Sequence, residues 1–276
     1  MMDFQFVEQF GNSICLIDEK EKISYVDLAE KSDQIVSKLP ERTLFALYFS
    51  PSIKCIVVYL GCLRNNHTAI LIDPHLDLTL KKKLLNQFKI KYIFDGNDWE
   101  EYHLFNKEHT RANKDLRILL STSGSTGSPK LIKISNRNLN SNSQSIVKYM
   151  NLKSSDRAIS SLPLHYSYGL SILNTHLAVG AKFYLTKLPI TNKDFWSFFK
   201  KSEITGLAGV PTTWRILRKL FFDRMKLDSL RLITQAGGKL SIEEVNWLAK
   251  VGNLKKYSVF IMYGQSEATA RISYLK

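Results

Sequence analysis

Cysteine is scarce. The 276 residues include three, at positions 15, 55 and 62. The number is odd, and no pair stands at zinc or redox spacing, which argues against a disulfide framework or a cysteine-held metal. Cys55 and Cys62 fall in an apolar helical stretch, where a buried free thiol is ordinary. This usage suits a reducing cytosol. Long apolar runs are lacking too. The longest, Cys55–Leu63, is too short for a transmembrane segment. The amino terminus has neither the basic start nor the apolar run of a signal peptide, so a cytoplasmic location is expected. The histidines show no metal spacing, and His67, His75, His103, His109 and His176 read as surface or satisfied core residues. No repeat, low-complexity tract or long linker interrupts the chain. Acids are outnumbered: 25 Asp and Glu against 39 Lys and Arg leave a formal charge of +14. The excess favours anionic partners such as nucleotides, coenzyme A or acidic carrier proteins. The lysines are scattered, and their densest run, Lys81–Lys83, is short. No basic stretch is interleaved with aromatics, so a specific nucleic-acid partner is not expected.

What is present is an alternation of strand-like and helix-like segments. Leu44–Tyr48 reads as a strand, and Ile53, Ile56, Val57 and Leu60 then recur at helical spacing. Ala69–Ile72 is a second apolar run, stopped by Asp73-Pro74. Leu80, Leu84, Leu85 and Phe88 predict another helix, followed by a strand at Lys91–Phe94. Further strands are expected at Arg117–Leu120, Leu131–Ile134, Ala158–Leu162, Lys182–Leu185, Ile204–Ala208, Arg231–Thr234 and Ser258–Met262. Ser24 with Asp27, and Ser241 with Glu244, fit capping boxes. Short connections between alternating elements point to an α/β chain with largely parallel sheets. The polar stretch 97–115 is the expected connection between two subdomains.

The most informative string is Ser-Thr-Ser-Gly-Ser-Thr-Gly-Ser-Pro-Lys at 121–130. Glycine lets the backbone approach a phosphate closely. Successive N–H groups can form an anion-binding concavity, hydroxyls add donors, and Lys130 adds a cation. A strand is expected on each side. That hairpin context and the spacing both differ from a P-loop. The string closely resembles the phosphate loop of the adenylate-forming superfamily: acyl- and aryl-CoA synthetases, peptide-synthetase adenylation domains and luciferases. It departs from the usual form at Leu131, where Gly is common, and at Asn136, where His is usual.

Three later segments follow in the family's order. Leu162–Leu170 resembles the acid-pocket motif, and the resemblance places substrate on His165, Tyr166, Tyr168 and Gly169. Peptide-synthetase domains commonly have an Asp there for an α-ammonium group. This segment has no acid, and a buried ammonium without a partner is costly. An acyl or aryl acid with an uncharged tail is therefore expected. Gln235–Ser241 resembles the turn that lies against adenine, through Gly237 and Gly238. Tyr263-Gly264-Gln265-Ser266-Glu267 matches the signature Tyr-Gly-x-[ST]-Glu. Tyr263 offers a ring, Ser266 a hydroxyl, and Glu267 a hard oxygen of the kind Mg²⁺ accepts. Residues 23–39 and 44–74 resemble the family's first units, so the likeness covers nearly the whole chain.

The resemblance implies two sheet-based subdomains with flanking helices. It implies ATP bound by Thr122, Ser123, Gly124, Ser125, Thr126, Gly127, Gly237, Gly238, Tyr263, Gly264, Gln265 and Ser266. It implies Mg²⁺ on Glu267 and Thr122, with Lys130 and Glu267 as catalytic groups. The reaction would join a carboxylic acid to AMP, then to the thiol of CoA or of a carrier protein's phosphopantetheine. The sequence ends nine residues after Glu267. The family's Tyr-x-Thr-Gly-Asp segment and its mobile domain with a reactive lysine are not in it. An incomplete amino-terminal domain is thus expected over 1–276, without a complete barrel subdomain or the small carboxy-terminal domain. Impaired turnover is expected for the chain alone, and a separate chain could supply the rest. The alternative is a nucleotide-binding or partner-binding module without catalysis.

Overall fold

A computed structural model describes residues 4–102, 110–121 and 130–276. Two sheets form, each parallel in its middle and closed by antiparallel strands at both ends. The six-stranded sheet contains β3 (Leu44–Tyr48), β4 (Thr68–Ile72), β5 (Tyr92–Phe94), β6 (Trp99–Glu101), β7 (Leu116–Ser121) and β8 (Leu131–Ser135), in the order β6-β5-β3-β4-β7-β8. The eight-stranded sheet begins with β1 (Ile14–Ile17) and β2 (Lys22–Ser24). It continues with β9 (Arg157–Ile159), β10 (Lys182–Tyr184), β11 (Gly206–Gly209), β12 (Leu232–Gln235), β13 (Ser258–Tyr263) and β14 (Ser273–Leu275). Its order is β14-β13-β12-β11-β9-β10-β1-β2. The stretch 97–115, expected as a connection between subdomains, includes β6 and, at residues 103–109, lies outside the described residues.

The helices are α1 (Tyr25–Val36), α2 (Ile53–Arg64), α3 (Leu78–Gln87), α4 (Asn136–Met150), α5 (Ser167–Leu177), α6 (Lys193–Lys201), α7 (Pro211–Lys219) and α8 (Ile242–Lys255). Both expected capping boxes are formed: Ser24 caps α1 with Asp27, and Ser241 caps α8 with Glu244. α2 is buried throughout Cys55–Leu63. A helix apolar on every side has to be covered on every side, and α2 shares one core with residues from both sheets. Tyr59 of α2 donates to Asn174 Oδ1 of α5 at 3.0 Å, a buried link between two central helices. All three cysteines are buried and free.

The strand expected at Ala158–Leu162 stops at Ile159. Ser160 N–H still donates to Tyr184 O at 2.9 Å, and Ser161 N–H then turns back to Ile159 O at 2.8 Å. Ser160 Oγ donates to Thr186 O, and Ser161 Oγ to Ala208 O. Pro163 follows, and the chain enters α5. This early exit places His165 and Tyr166 at the rim of the sheet.

His176 in α5 gives a test of the core. Its Nδ1 lies 2.8 Å from Ile172 O, and burial lowers its pKa to about 4. An unfolded histidine titrates near 6.5. Between these values the unfolded chain holds a proton that the folded chain refuses. The contribution to stability is therefore complete above pH 6.5 and is lost as pH falls towards 4. Its size is on the order of 3 kcal/mol. Urea unfolding at pH 7 and 4.5 should show that loss in the wild type, and a markedly smaller one in His176→Gln.

Candidate functional site

Four parallel strands, β9, β11, β12 and β13, end on one rim of the eight-stranded sheet. In α/β folds ligands bind at the carboxyl ends of such strands. β12 ends at Gln235, whose Nε2 donates to Gly238 O at 2.8 Å and closes the following turn. Gly237 adopts φ +79°, the left-handed region where a side chain is strained. Both glycines of the turn are exposed. Neighbouring β13 ends at Tyr263, whose side chain is also exposed. Gly237, Gly238, Tyr263 and Gly264 line one cleft of about 720 Å³, together with Tyr274 and Leu275. Backbone without Cβ and an open aromatic ring are suitable walls for a flat ligand.

The chain then makes a tight reversal. Ile272 N–H donates to Tyr263 O at 2.9 Å. A Cβ on Gly264 would stand 1.6 Å from Ala270 O, so only glycine fits there. The reversal brings Ser266 Oγ to 3.3 Å from Ser167 Oγ, at the start of α5. It also sets the Ser266–Ala268 turn against β8. Gln265 and Glu267 are exposed on it. β7 and β8 pair antiparallel up to Ser121 opposite Leu131, as the hairpin context predicts. Lys130 is exposed beside that last pair. Thr122, Ser123, Gly124, Ser125, Thr126 and Gly127 lie outside the described residues. The hairpin that carries them nonetheless meets the Ser266–Glu267 turn and the start of α5 at one place.

The acid-pocket segment divides. His165 is buried, and its ring lies 4.4 Å from that of exposed Tyr166. Tyr166 starts α5 without a side-chain cap. Tyr168 is turned into the core, where its hydroxyl donates to Thr234 Oγ1 at 2.8 Å, and burial raises its pKa to about 12. Gly169 packs against the loop before it, since a Cβ would meet Pro163 O at 2.1 Å. The segment has no acid of its own, but the fold delivers one. Asp73, which follows β4 in the other sheet, places Oδ2 3.6 Å from His165 Nε2. Its Oδ1 accepts from His75 N–H at 2.8 Å. Burial lowers the His165 pKa, while the Asp73 carboxylate and a backbone contact at Phe49 oppose the shift. The ring is accordingly neutral at pH 7. Sequence reasoning used Asp73-Pro74 only to stop a strand. Its position beside Ile72 at a strand's carboxyl end was the signal that could have found it. Ser167 was likewise missed, although it lies inside the quoted segment.

A sequence model of the AMP-binding enzyme family matches residues 95–275. The chain belongs to this family. Among curated relatives, the D-alanine–D-alanyl carrier protein ligase of Bacillus cereus is 22% identical over 283 residues, 91% of this chain and 55% of the relative. The o-succinylbenzoate coenzyme A synthetase of Bacillus subtilis, solved in complex with AMP, superposes with a TM-score of 0.81 at 19% identity, covering 100% of this chain and 61% of that one. VinN in complex with L-aspartate superposes with a TM-score of 0.83 at 16% identity, covering 100% and 78% respectively. The chain spans about half the length of the curated ligases it matches. These likenesses support the two-sheet α/β architecture. In this AMP-binding chain no helix among the described residues is long and apolar enough to cross a membrane.

Proposed function

We propose that this chain provides the nucleotide- and acid-binding part of a ligase that activates a carboxylic acid with ATP. The observation that carries the reading is convergence. The hairpin bearing the 121–130 loop, the Ser266–Glu267 turn and the start of α5 meet at the rim that holds the Gly237–Gly238 turn and Tyr263. An oxygen of the acid attacks the α-phosphorus of ATP, and pyrophosphate leaves, giving the acyl-adenylate. Lys130 and the loop hydroxyls hold phosphate oxygens. Gly237, Gly238 and Tyr263 face the base, and His165 and Tyr166 border the acid. Thioester formation with CoA or a carrier-protein phosphopantetheine would follow. An acyl or aryl acid remains our preferred substrate class, because the Leu162–Leu170 segment carries no acid of its own to pair with an α-ammonium group. The reading includes a cytoplasmic location.

The residues present fit Mg²⁺. Glu267 supplies one exposed carboxylate, and Mg²⁺ is commonly held by one or two carboxylates plus substrate phosphates. The metal would neutralise phosphate charge. No cluster of three or more metal-binding side chains occurs among the described residues. Thr122 is the second proposed donor.

Calorimetry with ATP and Mg²⁺ tests the assignment. Lys130→Ala removes a charge-assisted contact of about 1.5–3 kcal/mol, so affinity should fall roughly 10- to 100-fold. Glu267→Gln should weaken binding chiefly when Mg²⁺ is present. Unchanged affinity in both variants would refute the reading. A second reading, a partner-binding module without turnover, is favoured by one observation. Tyr263, Ile272, Tyr274 and Leu275 leave apolar surface open at the β13–β14 edge. Pyrophosphate exchange over a panel of acids distinguishes the two readings.

A further inference from the structure

α7 buries Thr213, Trp214 and Leu217 on one side. Its opposite side is not simply polar. Ile216 and Leu220, one turn apart, are 39% and 40% exposed, and Phe221 after them is 56% exposed. Phe221 stands at φ 54°, ψ 46°. The residue just past a helix cap often takes this left-handed conformation, but glycine or asparagine is usual there. Among the described residues Phe221 is the only aromatic at positive φ. For folding alone, a glycine would make the turn with less strain and expose no ring. Strain of this kind collects at functional sites.

Cations stand around the ring. The Arg224 guanidinium lies 4.6 Å from its centre, and Lys219, Lys226 and Lys256 are exposed. The end of α8 joins this corner, because Lys255 Nζ donates to Met225 O and Tyr257 Oη to Leu227 O, each at 3.3 Å. Acids are few. Asp223 and Asp228 lie in the loop after α7, Glu243 and Glu244 pair with Arg218 and Arg215, and no further acid occurs before Glu267. Exposed apolar side chains among excess positive charge are the composition that settles on an anionic bilayer. An acidic carrier protein offers the same charge, but the position disfavours it. α7 and α8 start at the rim, just after β11 and the Gly237–Gly238 turn, and run away from it. The 14 residues of α8 span about 21 Å. A carrier has to present its thiol at the rim, not at the far end.

We propose that the far end of α7 and α8 is a membrane-contact surface for an anionic lipid bilayer. Leu220 and Phe221 enter the boundary between headgroups and acyl chains, and Lys219, Arg224, Lys226 and Lys256 meet lipid phosphates. The inference goes beyond the acid-activating reading and does not depend on it. Contact at this end turns the rim towards water, so the nucleotide cleft stays open.

The test is sedimentation of the full chain with vesicles of phosphatidylcholine, alone or mixed equally with phosphatidylglycerol. Partition into the mixed vesicles should be at least about tenfold stronger, and added salt should release the protein. Phe221→Gly with Leu220→Ser should weaken that partition about fivefold or more while the melting temperature holds, because glycine suits the left-handed turn. Lys219→Glu with Lys226→Glu should remove most of the preference for phosphatidylglycerol. Lys82→Glu with Lys83→Glu makes the same charge change on α3 and should leave the preference in place. Equal partition into both vesicle types, no effect of the Phe221 and Leu220 changes, or an equal loss in the two lysine pairs overturns the inference, since net charge alone then explains any binding. So does binding of an acyl carrier protein that Phe221→Gly with Leu220→Ser abolishes, because the partner is then a protein. ATP affinity should stay within about twofold in saturating vesicles. A larger loss would place the bilayer over the rim and overturn the inference as well.

Discussion

Gly264→Ala should lower the melting temperature by roughly 6–12 °C. The added Cβ would lie 1.6 Å from Ala270 O and 2.7 Å from Ala270 C. Both are backbone atoms, so no rotamer change relieves the clash. Overpacking costs typically 1–3 kcal/mol, and a backbone collision belongs at the upper end. For a domain of this size each kcal/mol shifts the midpoint by roughly 2–4 °C. The strain falls on the reversal that holds Ser266 against Ser167, so ATP affinity should fall as well. Gly11→Ala is the control. Gly11 also has positive φ, at 60°, but nothing lies within 4 Å of its Cβ position. Its replacement should cost about 1–2 kcal/mol, the left-handed backbone term without any clash. Calorimetric scans of the two variants beside wild type decide the matter. Equal midpoints would show that the reversal opens freely, and the glycine would then be unrelated to the site's rigidity.

The contrast between these glycines bears on what a sequence can reveal. Gly264 was legible as part of a motif, but the reason for it was not. The clashing atom belongs to a residue six positions on, and the reversal between them has no periodicity to read. Strong local signals did transfer. Leu44–Tyr48 forms the strand its apolar run predicts, and the Ser24 and Ser241 capping boxes form as written. The short strands β1, β2, β6 and β14 were not anticipated. They span three or four residues each and depend on neighbours for their pairing. At the site, motif residues marked the rim, but contacts between sheets stayed hidden. Asp73 and His165 stand a third of the chain apart, and only the fold brings them to 3.6 Å.

A polypeptide of residues 1–276 assayed alone should form acyl-adenylate several powers of ten more slowly than the same polypeptide supplied with the family's remaining modules. The site described above has donors for phosphate and a place for the base. Negative charge grows on the α-phosphate as the acid attacks, and its stabilisation needs cationic donors aimed at that point. Lys130 sits beside the Ser121–Leu131 pair, at the foot of the phosphate loop. The resemblance assigns ribose to a carboxylate and the α-phosphate to a mobile-domain lysine, both from segments after Glu267. Each such contact contributes about 2–4 kcal/mol to the transition state, and each 1.36 kcal/mol is tenfold in rate. Losing two therefore predicts a deficit of at least about a thousandfold. The exposed Tyr263, Ile272, Tyr274 and Leu275 give a second, independent readout. A segment that completes the site should cover them, reducing hydrophobic-dye binding and self-association. Pyrophosphate release over a broad acid mixture, with and without the added segment, measures the first effect, and light scattering the second. If the isolated polypeptide turned over at full rate, a cation among its own residues would have to serve the α-phosphate. Lys130→Ala would then be the variant to assay.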